Sequence, residues 1–357
     1  MKTIYNVRPK GLNVGNDAIA VAMQKFIYEA CGELVNIVTI PATSKYDGGG
    51  LYGLTKRSIH EFNQYADGVI VGGGNLFENG ELDIDENALK ALRVPLMSFS
   101  VSRGKIFGKD YKLVDRTDVI ADNKLLALTK RADINLSRDT ATVDYVRAIG
   151  GDSDLGICPT IYLKDIEQRL PGITEIGKHY RDTVVISIRN PDLMSIPIID
   201  QSQVRKDIER IAKRLIDEGN EVKILCHDTR DISFSCSLGM PYVYTGDVYS
   251  YLSMIKNCKL LISYRLHSFL PALSFGTPCV KISYDQRALS LINDIGYGSW
   301  NINMFEERDV EKAVFDRIDR IDELKEMVTM NAPLWKTYHG TILRAFENFN
   351  QLMIDSR

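Results

Sequence analysis

Residues 246–287 read GDVYSYLSMIKNCKLLISYRLHSFLPALSFGTPCVKISYDQR. The apolar run Leu260-Leu261-Ile262 predicts a strand, and Phe269–Phe275 predicts a helix. Cys279–Ser283 predicts the next strand. Strand, helix and strand in this order form a βαβ unit of a parallel sheet. The loop between the first strand and the helix is Tyr264-Arg265-Leu266-His267-Ser268.

The same alternation extends in both directions. Upstream, Thr183–Ile188, Glu221–Cys226 and Tyr242–Thr245 read as strands, and Val204, Ile208, Ile211 and Leu215 recur at helical spacing. Val248–Asn257, Ser268–Ser274 and Gln286–Ile295 read as helices. In the first half, Ile4–Val7, Leu34–Ile40, Gly68–Val71, Leu96–Val101 and Asp133–Leu136 are strands, and Asp17–Cys31 is a helix with Asp17 as its cap. The pattern lapses over Lys164–Asp182, which carries Pro171, Gly172 and Gly177. The expected organisation is a first domain over 1–165, a linker over 166–182 and a second domain over 183–330. One amphipathic helix is marked by Val310, Val314, Ile318, Ile321 and Leu324. Pro333 opens a last helix within 331–357. The fold class is α/β: two Rossmann-like, doubly wound domains facing a cleft, with functional loops at the C-terminal ends of the strands.

Length and composition agree. A chain of 357 residues with 45% hydrophobic and 25% charged residues can bury two ordinary cores. Lys plus Arg is 44 against 47 Asp plus Glu, a net charge of −3, which gives no global field for gripping nucleic acid. The six cysteines are scattered, with no CxxC pair and no Cys/His cluster, so no metal is expected and a reducing, cytoplasmic setting is. No run of about 20 apolar residues predicts a membrane span. The first residues have no signal-peptide pattern.

Candidate site residues cluster at predicted strand ends. Arg265 with His267 two residues on, at a helix start, suits a phosphate or carboxylate and a proton transfer. Arg265 paired to a carboxylate and His267 as a cap is the plainer reading. Leu266 and Ser268 share the loop. Gly72-Gly73-Gly74-Asn75 follows an apolar strand and allows close backbone approach to a ligand, though a tight turn explains it equally. Gly48-Gly49-Gly50 reads as a flexible loop. Asn13 and Gly15, after the first strand, have little reason to be there without a ligand. Arg103, Arg138 and Arg189 also end strands, and with Arg265 they make an anion-binding cleft. His227 ends a strand and lines the same cleft. His60, His179 and His339 are expected to be solvated. Arg103–Arg116, with Lys105, Lys109 and Lys112, reads first as a solvated basic loop and second as a face for an anionic acceptor or lipid headgroup.

Taken together these segments resemble the polysaccharide pyruvyl transferase family, from about Asn13 to about Tyr297. The resemblance rests on Gly246, Asp247, Ile255, Cys258, Arg265, Leu266, His267, Ala272, Gly276, Thr277, Pro278, Ser283 and Tyr284. Gly72–Asn75, Ser137–Asp139 and Ile186–Arg189 also look like family motifs. The chain departs from the pattern at Asn16, at Cys158 before Pro159, and at Arg287, where a lysine is usual.

The resemblance implies a two-domain fold similar to the GT-B glycosyltransferases, with the last helix returning to the first domain. It implies phosphoenolpyruvate as donor, held by the second domain, and a sugar acceptor on the first, free or linked to lipid or nucleotide. The product would be a pyruvate ketal on a cell-surface polysaccharide or its precursor. Arg265 and Arg189 would hold the two anionic groups, and His267, with a pKa near neutral, would protonate the methylene carbon. Peripheral membrane contact is compatible with this reading, whereas oligomeric state is not legible. Two other functions fit the same scaffold: a nucleotide-sugar-dependent glycosyltransferase or epimerase, and a non-catalytic sugar- or anion-binding protein.

Overall fold

The computed structural model describes residues 1–45 and 50–356, so Gly48 and Gly49 lie outside the described residues. The first half contains β1 (Lys2–Arg8), α1 (Val14–Cys31), β2 (Val35–Pro41), α2 (Lys56–Tyr65), β3 (Gly68–Gly74), α3 (Glu86–Leu89) and β4 (Leu96–Val101). It continues through the hairpin β5 (Ile106–Phe107) and β6 (Leu113–Val114) to α4 (Asp122–Arg131), β7 (Ile134–Ser137), α5 (Thr140–Ala148) and β8 (Asp154–Leu155). Six strands form one parallel sheet in the order β2-β1-β3-β4-β7-β8.

The second half repeats the plan. It runs β9 (Thr183–Ile188), α6 (Ile198–Asp217), β10 (Glu221–Cys226), α7 (Ile232–Ser237), β11 (Tyr242–Tyr244), α8 (Val248–Asn257), β12 (Leu260–Ser263), α9 (Leu266–Phe275) and β13 (Cys279–Ser283). Then come α10 (Gln286–Asp294), β14 (Ile302–Asn303), α11 (Val310–Asp319) and α12 (Ile321–Asp355). Its parallel sheet has the order β11-β10-β9-β12-β13-β14. Strand order therefore reverses beside β1 and β3 in one sheet and beside β9 and β12 in the other. In open α/β sheets such switch points leave a crevice beyond the strand ends, where ligands bind. Here the two crevices face each other.

The halves share a core. Phe26 of α1, Tyr251 of α8, Phe269 of α9, Trp300 and Phe346 of α12 belong to one buried cluster. The stretch read as a linker, 166–182, takes in the end of a run of 3-10 turns over Pro159–Arg169 that packs between α1 and α9, and then buried Ile173 and Tyr180. Its missing helical or strand periodicity reflects 3-10 geometry with several buried side chains.

Pro333 does not open a helix. It lies inside α12, which runs unbroken for 35 residues. A proline removes one backbone donor, but both flanks of α12 are anchored: Leu324 is buried on the second half, and Phe346, Phe349 and Met353 are buried on the first. A Cβ on Gly68 would meet Phe349 Cζ and Met353 Sδ at 2.7 Å, so α12 lies directly on the start of β3. His339 is half-buried in this contact rather than solvated, packing on Phe26 and Tyr162 and touching Lys25 Nζ. His60 and His179 are exposed. Among the described residues no helix is long and apolar enough to cross a membrane.

Phe349→Ala removes a fully buried ring from the seam between α12 and the first sheet. We expect it to lower stability by about 3–5 kcal/mol, read as a lower urea midpoint with little change in slope.

Candidate active site

The facing switch points enclose a cavity of about 430 Å3. The first half contributes the β1–α1 segment (Pro9, Gly11, Asn13, Asn16), Asn75 after β3 and Arg138 after β7. The second contributes Arg189 after β9, His227 after β10, and Arg265, Leu266 and His267 after β12. Each arginine ends a strand because a parallel strand delivers its last side chains to the carboxyl edge, where backbone groups at helix starts remain open.

Arg265 and Arg189 are tied to one carboxylate. Asp231 is fully buried; its Oδ2 lies 3.3 Å from Arg265 Nη2 and its Oδ1 lies 3.7 Å from Arg189 Nη1. Asp228 lies 3.7 Å from Arg189, and burial of its carboxyl is outweighed by hydrogen bonds from Arg230, which bring its pKa down to about 2. Burial and the neighbouring Arg265 lower the pKa of Arg189 to about 10. Across the cavity Arg138 donates to Ser102 Oγ and brings Nη1 within 3.5 Å of His267 Nε2. Asp139 behind it is fully buried, and burial pushes its carboxyl up to about 7.

His267 packs directly against α1 of the first half. A Cβ on Gly15 would lie 2.9 Å from His267 Cβ, so only glycine permits this approach of α1. Tyr251 OH donates to the His267 carbonyl at 2.6 Å. The imidazole does not have the near-neutral pKa expected of it. Burial and then Arg138, Arg265 and Arg287 drive it well down, which favours the neutral imidazole. His227 is neutral for the same reasons: burial, then Arg265, His267 and Arg189. Its Nε2 is 2.7 Å from Ser187 Oγ, which accepts from Ser268 Oγ at 2.9 Å.

The cavity thus brings together His267, Arg265, Arg189, Arg138, Asn13, Asn75, His227 and Leu266. Other expected residues stand back from it. Gly15 makes room for His267. Gly73 and Gly74 have φ of +90° and +88°, and a Cβ on Gly73 would strike Ile19 at 2.7 Å; with Gly72, buried near Met23, they seat α1 on β3. Ser268 is buried in its serine relay. Arg103 stacks on Tyr145, 3.3 Å from the ring centre, with its backbone bound to Thr142. The ring attracts the flat guanidinium, whose Nε has no hydrogen-bond partner, and Arg103 is not among the residues that line the cavity.

The sequence reading missed Arg287 and Arg116 as cavity residues, although both line it. Arg287 follows a strand end, the same signal that found Arg189. Arg116 was read as part of a solvated loop, but it is buried, 2.6 Å from Asp118 and 3.6 Å from Glu78. Glu78, also fully buried, accepts from Gly104 N at 2.9 Å and pairs with Arg287 across the two halves. Asp228, Asp231 and Glu78 carry no motif that marks them in advance.

A family model for polysaccharide pyruvyl transferase matches residues 13–286. Among curated proteins none matches the chain. Among solved structures, the Staphylococcus aureus MnaA–UDP complex is similar, with a TM-score of 0.57 at 14% identity, covering 92% of this chain and 90% of that one. A Methanocaldococcus jannaschii UDP-GlcNAc 2-epimerase with UDP-GlcNAc and UDP has a TM-score of 0.53 at 11% identity, covering 90% and 92%. The Neisseria meningitidis UDP-GlcNAc 2-epimerase bound to UDP-GlcNAc has 0.52 at 10%, covering 100% and 99%. At these identities the likeness is one of fold, and that fold is the GT-B-like pair of domains.

Burial, and after it the guanidiniums, hold both histidines neutral, and an anion entering this cavity offsets the guanidinium part. Sulfate, whose charge is constant over the range, should therefore bind more tightly as pH falls from about 8 to about 5.5, with proton uptake seen by calorimetry in buffers of different ionisation heat. His267→Asn should flatten that slope; a pH-independent affinity in the unaltered protein would contradict the assignment. Without anion the sign reverses for stability. The folded histidine pKa lies below the unfolded one, so the unfolded chain takes up protons first and stability declines below about pH 6.5.

Proposed function

Because this chain belongs to the polysaccharide pyruvyl transferase family, we propose that its cavity transfers pyruvyl from phosphoenolpyruvate to two hydroxyls of a sugar, forming a cyclic ketal. The acceptor is a sugar of a cell-surface polysaccharide or of its lipid- or nucleotide-linked precursor, and the reaction belongs to the cytoplasmic side, with peripheral membrane contact where the precursor is lipid-linked. The observation that carries this reading is the grouping of Arg138, Arg189 and Arg265 with His267 in one cavity. Phosphoenolpyruvate bears a phosphate and a carboxylate on neighbouring atoms, and arginine forks match both.

In the proposed reaction Arg265 and Arg189 hold the two anionic groups, and Arg138 reaches the donor from the other half. Their positive field favours the charge of the donor. His267, protonated once the anionic donor is in place, gives its proton to C3, which becomes a methyl group, as the oxygen of the first sugar hydroxyl bonds to C2 and that hydroxyl's proton returns to the imidazole. The C2–O bond to phosphate then breaks, and the second hydroxyl closes the ring and gives its proton to the departing phosphate. The lowered pKa suits this order: the imidazole takes up its proton only with the anionic donor in place, and then parts with it readily to C3. No step calls for a metal or a cofactor.

The test is an assay of inorganic phosphate and acceptor mass with phosphoenolpyruvate and a panel of lipid-linked and nucleotide-linked sugars. The expected product is an acceptor carrying ketal-bound pyruvate, with one phosphate released per product. Release of nucleoside diphosphate without phosphoenolpyruvate would instead identify a nucleotide-sugar enzyme, and binding without turnover would identify a non-catalytic protein. His267→Ala should cut kcat by about 10²–10⁴-fold with donor binding largely kept. Arg265→Lys should raise the donor KM by about tenfold or more, because an ammonium cannot replace the fork.

A further inference from the structure

A second crevice lies beyond the β1–α1 segment, separate from the cavity just described. It has a volume of about 220 Å3 and is walled by both halves. Its polar lining comprises Asn6 and Arg8 of β1, Thr39 of β2, Asp17 and Gln24 of α1, and Asp247 at the start of α8. Pro9, Gly11 and Asn13 line the first cavity, so one short segment of chain is the wall between the two.

Asn6 is the anomaly. It sits on the face of β1 that carries buried Ile4 two residues earlier, beneath α1, and is itself only 2% exposed. Yet its Oδ1 has no partner, and neither has Arg8 Nε. A buried amide oxygen left unpaired is costly, and an apolar side chain at this position would be cheaper. The remaining groups define what would satisfy it. Arg8 is already paired with Asp17 at 2.7 Å, and Asp247 caps α8 through Ser250 N at 2.8 Å. Two carboxylates against one guanidinium disfavour an anion, and the guanidinium disfavours a metal cation. Amides, a threonine hydroxyl and paired charges offer both donors and acceptors, the pattern that neutral hydroxyl groups require.

We propose that this crevice is a binding subsite for a neutral sugar residue, the neighbour of the acceptor sugar in the same saccharide chain. The assignment to an acceptor chain rests on the pyruvyl-transfer reading; the sugar site itself does not. It makes the protein a reader of at least two linked sugars, with the β1–α1 segment as the divider between the reacting unit and its neighbour.

The probes are D-glucose, D-galactose, D-mannose and N-acetyl-D-glucosamine, each observed by saturation-transfer NMR against the full chain with phosphoenolpyruvate saturating the first cavity. At least one should bind in the millimolar range, and Asn6→Leu should weaken it by about tenfold while leaving phosphoenolpyruvate affinity unchanged. Gln24→Leu, on the helix above, should weaken the same sugar and serves if Asn6→Leu does not fold. Saturation that survives both substitutions, or a crystal soak showing water alone against Asn6 Oδ1, would overturn the subsite. Sugar binding that depends on Asn6 in a protein without affinity for phosphoenolpyruvate would keep the subsite and discard the donor.

Discussion

Like charges crowded into a water-poor crevice are the constraint around which this molecule is built. Arg138, Arg189 and Arg265 converge on one cavity, and two histidines share it. Such a group is stable only if carboxylates stand behind it and hydrogen bonds fix its geometry. Asp231 does this for two arginines at once, one oxygen to each, and Asp228 adds a second charge beside Arg189. The compensation is partial. Burial and then the residual positive field depress both imidazoles. Stability and binding are thus two readings of one electrostatic arrangement.

The constraint can be met only by holding the halves together. A buried core runs through both, and α12 leaves the second half to pack its last turns against β3 and α1 of the first. At the cavity the contact is closer still. Val14 N donates to the His227 carbonyl at 3.0 Å, and Gly15 admits His267. On the far rim Glu78 pairs with Arg287, while Thr140 and Ala141 at the start of α5 donate to Asp294 and Ser290 of α10. These contacts place Arg138 of one sheet opposite Arg189 and Arg265 of the other. The cavity is consequently a property of the pair of domains rather than of either one.

The glycines illustrate how one residue type serves different ends. Gly72–Gly74 looked like a ligand loop, and the conformations of Gly73 and Gly74 do lie in the left-handed region. Their freedom is used to bring α1 down onto β3, which in turn sets Asn13 and Asn16 at the cavity wall. Their effect on the site is one of placement.

Most of the strands, their parallel pairing and the strand-end arginines were legible in the residues, because hydrophobic period and chain direction are local properties that survive into the fold. Arg189, Arg265 and His267 were found for that reason. Whether such an arginine faces the crevice or a neighbour is decided at long range, as Arg103 on Tyr145 and the buried Arg116 demonstrate. The run of α12 through Pro333 was hidden because the residues that anchor its two ends lie on different halves. The pKa of His267 was hidden too, since burial, its main cause, and Arg138, 129 residues away in sequence, act on it only in the folded chain. Sequence alone determined which groups arrive at the ends of strands. Only tertiary structure decided which of them meet, because charge, burial and unpaired hydrogen bonds depend on distances that the order of residues does not contain.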